Sequence, residues 1–290
     1  MKKKLSPPFK KIYSINIFLK AGGAEMNDLK QMMVKIEARV KAQDKKKNKP
    51  NVVEEGRDLS KNSVSKSNTL ARSYYRFNLV EKRVMEVLIS QLNPVSPDTF
   101  QLQKLDLKAT DYAKTFNVSE KHAYEHIESA VSGLMGRVFS VPIKDGREEF
   151  TLMSNAQYLA GEGKITCSFN LYITNHLVGL RQKFTSYPLK ITANFKSSYT
   201  WRMYELFVSW AEDPKLTGGI LAGWCSIEVQ ELREMLGVPK SYQWNDFQRQ
   251  VLDISKAELK EYANIEFEIE RTKTGKKITK LKFIFAEIKT

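Results

Sequence analysis

Only two cysteines and three histidines occur in 290 residues, and this scarcity excludes several chemistries at once. Cys167 and Cys225 stand far apart without a CxxC spacing, so neither a disulfide framework nor a cysteine zinc site is indicated. His122 and His126 lie one helical turn apart, but the intervening Ala-Tyr-Glu is not the zinc-protease pattern and no third ligand is evident. No metal is expected. Together with His176 they also fail to supply the His-hydrophobe-His motif that a rolling-circle nickase combines with a nucleophilic tyrosine. A phosphate-cradling loop is missing too, because Gly161-Glu162-Gly163-Lys164 lacks both the spacing and the Ser/Thr after the lysine. No apolar run approaches the ~20 residues needed to span a bilayer. The expectation is a cytoplasmic protein, not an enzyme, with no cofactor.

Positive charge, by contrast, is plentiful. Lys and Arg number 47 against 33 Asp and Glu, a net charge of +14 with a pI near 9.5, which implies a polyanionic partner, nucleic acid being the commonest. Residues 1–59 hold 15 basic against 7 acidic side chains, a balance of +8 that leaves +6 for the rest. They read as a basic, largely disordered tail, with Lys45-Lys46-Lys47 and Pro50 marking a solvated linker over 41–58. Lys2-Lys3-Lys4, the apolar Ile12 to Leu19 and Ala21-Gly22-Gly23-Ala24 imitate a secretion signal, but Pro7, Pro8, Lys10 and Lys11 interrupt it. Residues 1–25 read instead as an extended start before Met26.

Periodicity is most informative over residues 224–285. The pattern predicts a strand (Trp224 to Ile227), a short helix (Glu228 to Leu236), a Gly237-Val238-Pro239 turn, a longer helix (Gln243 to Tyr262) and two alternating strands around Gly275. That order outlines a winged helix. In the longer helix Trp244, Phe247, Val251 and Ile254 are expected to pack inward, while Arg249, Lys256 and Lys260 share another face with Asp253. Ile265, Phe267 and Ile269 alternate with Glu266, Glu268 and Glu270, and Leu281, Phe283 and Phe285 alternate with Lys280 and Lys282, so glutamates can face lysines across the strands.

A similar order occurs upstream. Phe100, Leu102, Leu105 and Leu107 suggest a strand, Thr110 to Phe116 a short helix, and Asn117-Val118 a turn. Ser119 is the expected N-cap of a longer helix with Tyr124, Ile127, Val131 and Leu134 inward. A hairpin is signalled by Val138 to Ile143 and Glu149 to Leu152 flanking Asp145-Gly146. Between and around these modules the pattern predicts an amphipathic helix Leu79 to Leu92 with a Val80, Val84, Val87, Leu88 stripe, a strand Lys164 to Phe169, a helix Asn170 to Leu180, and an aromatic helix Ser198 to Ala211 suited to packing between domains. The fold class expected is α+β: two tandem winged-helix domains, 60–186 and 187–290, the latter including the inter-domain helix.

Ser67-Asn68-Thr69-Leu70 and Phe77-Asn78-Leu79-Val80-Glu81-Lys82-Arg83 resemble the opening of the plasmid replication initiator proteins of the RepB/Rep_3 type. Ser198-Tyr199-Thr200-Trp201-Arg202-Met203-Tyr204-Glu205-Leu206 is similar to that family's inter-domain helix, and Leu232 to Val238 with Tyr242, Phe247 and Val251-Leu252 to its second module. The likeness runs in order over about residues 60–285. It implies an initiator that binds directly repeated origin DNA as a monomer, helps to open the duplex, recruits the host helicase and initiator machinery, and represses its own promoter as a dimer bound to operator DNA. The first module would add DNA contacts and the dimer surface. The competing expectation from the same two modules is a winged-helix transcriptional repressor without an initiation role.

The residues expected to contact DNA follow from that frame. In the second module they are Lys240, Ser241, Gln243, Asn245, Gln248, Arg249, Lys256 and Lys260 around the longer helix, and Arg271, Lys273, Lys276 and Lys277 near the hairpin tip. In the first module they are Lys121 and His122, since Glu120, Glu125 and Glu128 make the rest of that helix a poor neighbour for phosphate.

Overall fold

The half-buried alternation expected in both modules produces two three-stranded sheets with the same internal order. A computed structural model describes residues 56–102 and 104–288; the signal-like start, the linker lysines and the remainder of the expected tail up to residue 55 lie outside them. In chain order the elements are β1 (Ser63–Ser67), α1 (Asn68–Ala71), α2 (Leu79–Ile89), β2 (Leu105–Lys108), α3 (Ala109–Phe116), α4 (Glu120–Met135), β3 (Val138–Ile143), β4 (Gly146–Thr151), β5 (Met153–Leu159), β6 (Lys164–Phe169), α5 (Thr174–Leu177) and β7 (Phe184–Pro188). There follow α6 (Leu189–Ala193), α7 (Ser198–Trp210), β8 (Ala222–Glu228), α8 (Val229–Met235), then α9 (Trp244–Phe247), a π-helical stretch (Gln248–Asp253) and α10 (Ile254–Ala263) as one long helix, and β9 (Ile265–Thr274) and β10 (Lys277–Glu287).

One antiparallel sheet runs β2-β6-β5 and the other β8-β10-β9. Each is assembled as strand, short helix, long helix and hairpin, with the last strand in the middle. The fold is therefore two tandem winged helices. The hairpin that completes the first is β5–β6, not the one signalled at Asp145-Gly146: β3 and β4 pair with each other as a separate ribbon, linked to the loop before α2 by a Tyr74–Ser140 bridge.

Other expectations are corrected by backbone conformation. Phe100 does not begin a strand but lies 77% exposed in a 3₁₀ turn, Thr99–Leu102. Gln101 exchanges two hydrogen bonds with the Asn93 backbone and Lys104 takes φ 55, so extension starts only at Leu105. The helix expected over Asn170 to Leu180 is reduced to a 3₁₀ turn and the short α5. Beyond it Gly179 adopts φ 66, and Gly179 and Leu180 give their N–H groups to Ser96 and Pro94 carbonyls instead of continuing the helix. Ser119 stands at the N-cap of α4 without a side-chain cap bond, and Tyr124 is only half-buried.

The helix expected to be amphipathic, α2, is instead buried almost all round, including Glu81, Lys82 and Glu86. It opens on a capping box, Asn78 accepting from the Glu81 N–H and Glu81 from the Asn78 N–H, both at 2.9 Å. Lys82 and Glu86 face α7, which lies between the two modules, while Glu81 accepts from Arg137 at 2.8 Å. The apolar side of α7 packs into the second sheet, with Phe207 stacked 4.4 Å from Phe285 and edge-on to Phe267. Burying one such phenylalanine contributes about 1.5–3 kcal/mol.

The polar side of α7 forms a buried ionic cluster. Glu205 accepts hydrogen bonds from Lys66 (2.7 Å), Lys82 (2.8 Å), Arg202 (2.9 Å) and the Tyr187 hydroxyl (2.7 Å), while Glu86 accepts from Lys66 and Lys82, each at 2.7 Å. Burial alone acts to raise the Glu205 carboxyl, but Lys66, Lys82 and Arg202 together hold it well below the usual carboxylate range. Arg202 also donates to the Ala71 and Ser73 carbonyls at 2.9 Å and to Met235 at 3.3 Å. The first two carbonyls precede α2, and the third ends α8.

Candidate nucleic-acid interface

Gly237 sets the turn between α8 and the long helix. Its φ of +64 is one that L side chains rarely adopt, and an added Cβ would lie 2.7 Å from the Arg76 Cβ. Arg233 then pins the turn to the helix that follows: it donates to the carbonyls of Pro239 and Tyr242, and its guanidinium stands 5.2 Å from the Phe247 ring centre. Gln243 starts the long helix through a reciprocal cap with Asp246. Opposite, the β9–β10 hairpin turns at Gly275, φ +60, which projects the wing.

Between these parts lies a groove of about 940 Å³. Lys240, Gln243 and Trp244 line one side and Lys276, Lys277 and Thr279 the other, with Glu228 and Glu234 on the wall formed by β8 and α8. Lysines from the turn and the wing thus flank one trough. Trp244, expected to be core, is half-buried and forms part of its wall; its amphipathic ring suits an edge between core and solvent.

The π-helical stretch decides what the long helix presents. Phe247 and Val251 are buried as expected, but the adjacent Leu252 is buried too, and the inward face continues through Ser255, Leu259 and Ala263 instead of Ile254. One additional residue per turn rotates everything after it. Gln248, at the start of the stretch, donates to Asp253 at its end (2.7 Å) and accepts from Arg271 of β9 (2.9 Å), whose guanidinium lies 5.7 Å from the Trp244 ring centre. Wing and helix are therefore joined through a pair of side chains that periodicity assigned separately.

The expected contact residues divide into groups. Lys240, Ser241, Gln243, Asn245, Gln248 and Arg249 lie along the turn and first part of the long helix, with Arg271, Lys273, Lys276 and Lys277 on the adjoining hairpin. Arg249 is 73% exposed, with Asp246 at 3.7 Å. Lys256 and Lys260 stand apart from the groove: Lys256 lies 5.9 Å from the Phe267 ring centre, and Lys260 pairs at 2.6 Å with Glu266, whose carboxyl this hydrogen bond lowers. From Glu266 to the wing end of β9 at Thr274 is about 27 Å at ~3.4 Å per residue. Lys121 and His122 are exposed in the first turn of α4, His122 lying 3.3 Å from Glu125. Asp253, expected on the face of Arg249, Lys256 and Lys260, is a partner of Gln248; no alternation or spacing signals that role.

Among the described residues, no group of three or more His, Cys, Asp and Glu is placed to hold a metal, and no helix is long and apolar enough to cross a membrane. The molecule is a tandem winged-helix protein, defined by two sheets of equal order and one open groove beside a basic wing. Residues 63–208 match the family model described as initiator replication protein, WH1, and residues 228–285 the model of initiator Rep protein, WH2. The chain belongs to this family of replication initiators. Its fold is similar to that of the Pi initiator protein in a crystal structure with iteron DNA: the TM-score is 0.63 at 22% identity, over 80% of this chain and 99% of that one. An uncharacterized 27.6 kDa protein of Escherichia coli is 26% identical over 153 residues, which span 49% of this chain and 64% of that relative.

Proposed function

We propose that this chain starts plasmid replication by binding directly repeated origin DNA through its second winged helix. The observation that carries the reading is the groove flanked by Lys240 and by the wing residues Lys276 and Lys277, at the start of the long helix. A duplex docked there meets Asn245, Gln248 and Arg249 with base edges in the major groove, because the early part of a reading helix enters that groove. Lys240, Ser241, Gln243, Lys273, Lys276 and Lys277 take phosphates, which fix register without reading sequence. The Pi initiator, which has a similar fold, is bound to iteron DNA in its crystal structure, and this supports DNA binding by the tandem winged helices. Lys121 and His122 make the first module a secondary contact, since Glu120, Glu125 and Glu128 lie on the same exposed helix. Opening of the origin, recruitment of the host helicase and initiator, and self-repression by a dimer on operator DNA complete the reading.

The test is footprinting of the full chain on DNA flanking its gene, paired with replication of a plasmid carrying that DNA. Protection of direct repeats and an inverted copy at the promoter, with replication dependent on the repeats, is expected. Equal affinity for repeat and scrambled DNA at physiological salt refutes the specific reader. Specific binding without any support of replication turns the reading into that of a repressor.

A further inference from the structure

The geometry points to Gln248 as an adenine-reading residue whose amide is held in one orientation by Arg271 and Asp253, an assignment that rests on the docking under Proposed function. Residues five apart on an α-helix sit about 140° apart around the axis, too far for a shared hydrogen bond along one face. The π-helical stretch Gln248–Asp253 winds more loosely and brings its first and last side chains together, Gln248 Nε2 donating to Asp253 Oδ1 at 2.7 Å. From the wing, Arg271 donates to Gln248 Oε1 at 2.9 Å, and the Trp244 ring beneath its guanidinium restrains it in turn.

Each partner fixes one half of the amide. Turned over, Gln248 would set its NH₂ against a guanidinium and its carbonyl against a carboxylate, so the acceptor stays toward the wing and the donor toward Asp253. Each atom still has capacity: Oε1 retains a lone pair and Nε2 retains a hydrogen. A fixed acceptor beside a fixed donor matches the N6 amino group and N7 of adenine in the major groove. Guanine offers acceptors at both places, so its O6 would oppose Oε1. Arg249 lacks such support, having only Asp246 at 3.7 Å along its own helix. Gln248 touches the base on this account, and Arg271 is a positioning residue.

The full chain is used to select duplexes from a pool with randomised positions, and the relative affinity for each base is measured by competition. Wild type is expected to require adenine at one position. Gln248→Ala should reduce that preference roughly 5- to 100-fold and leave every other position unchanged. Gln248→Glu, acceptor on both oxygens, should move the preference at that position toward cytosine, whose N4 donates. Arg271→Ala should blur the same position, which loss of a merely structural staple would not single out. Unchanged base preference in Gln248→Ala overturns the assignment while leaving the docking intact. Failure of wild type to select any sequence overturns both.

Discussion

Replacing Glu205 by Gln isolates the charge in the buried cluster, because the shape and the tyrosine contact survive while the negative charge does not. Lys66, Lys82 and Arg202 then face Glu86 alone, all of them buried. Breaking a buried pair by removing one partner costs about 3–5 kcal/mol. For a folded unit of this size, with ~2–4 °C lost per kcal/mol, melting should fall by about 6–20 °C. Urea titration should show a lowered midpoint with an unchanged slope, a loss of stability without a change in the surface exposed on unfolding. The pH dependence supplies the sign. The folded Glu205 carboxyl titrates below its ordinary value of 4.5, so its contribution is fully present above that pH and is lost as pH falls through the folded value. Glu205→Gln should therefore lose less stability than wild type on acidification below about pH 4.5. A neutral-pH loss under about 1 kcal/mol, the range of exposed ion pairs, would refute the assignment of a buried, coupled cluster.

Further outcomes follow from other contacts. A chain begun at Glu55 should melt like the full chain, whereas one begun at Ser60 should be about 1–3 kcal/mol less stable by denaturant titration, because it lacks the bonds from Arg57 to buried Asp111 and from the Leu59 N–H to Thr115. Either truncation should flatten the salt dependence of DNA binding by removing basic residues. Lys276→Ala with Lys277→Ala should weaken repeat and scrambled DNA alike and reduce the log–log salt slope by about 1.8; an unchanged slope places the wing off the backbone. Gly237→Ala, strained at φ +64 and crowded by Arg76, should cost about 1–3 kcal/mol in the same titration.

The hairpin of the second module was legible because its alternation is little disturbed: Ile265 and Phe267 on β9, and Leu281, Phe283 and Phe285 on β10, are buried where alternation put them, and Lys282 meets Glu270 at 3.1 Å across the strands. The long helix was legible only as far as Val251. A π turn differs from an α turn by one residue, and Val251-Leu252 gives the same apolar composition in either winding. Burial of α2 was hidden for a different reason. Lys82 and Glu86 look like a solvated face until distant residues supply their partners, Glu205 for Lys82 and Lys66 for Glu86. The same holds for β1 and β7, whose antiparallel pairing joins Ser63–Ser67 to Phe184–Pro188 across the whole first module. Lys240, Lys276 and Lys277, expected to contact DNA, line the groove, but Trp244 was expected to be core, since a tryptophan at helical spacing reads as core whether or not one edge is open.

Arg202 has a consequence for how the two winged helices can move. One guanidinium serves carbonyls at and just after the end of α1 and at the last turn of α8, and a tilt of one module against the other would pull it away from one set. Drawn off the Met235 carbonyl, Arg202 keeps Glu205 and the Ala71 and Ser73 carbonyls, but that oxygen loses its donor until water can reach it. Intermediate tilts are therefore the costly ones, and this contact alone would favour either the arrangement seen here or a parting wide enough to admit water. The relative orientation of the modules should behave as a catch that holds or lets go, not as a spring.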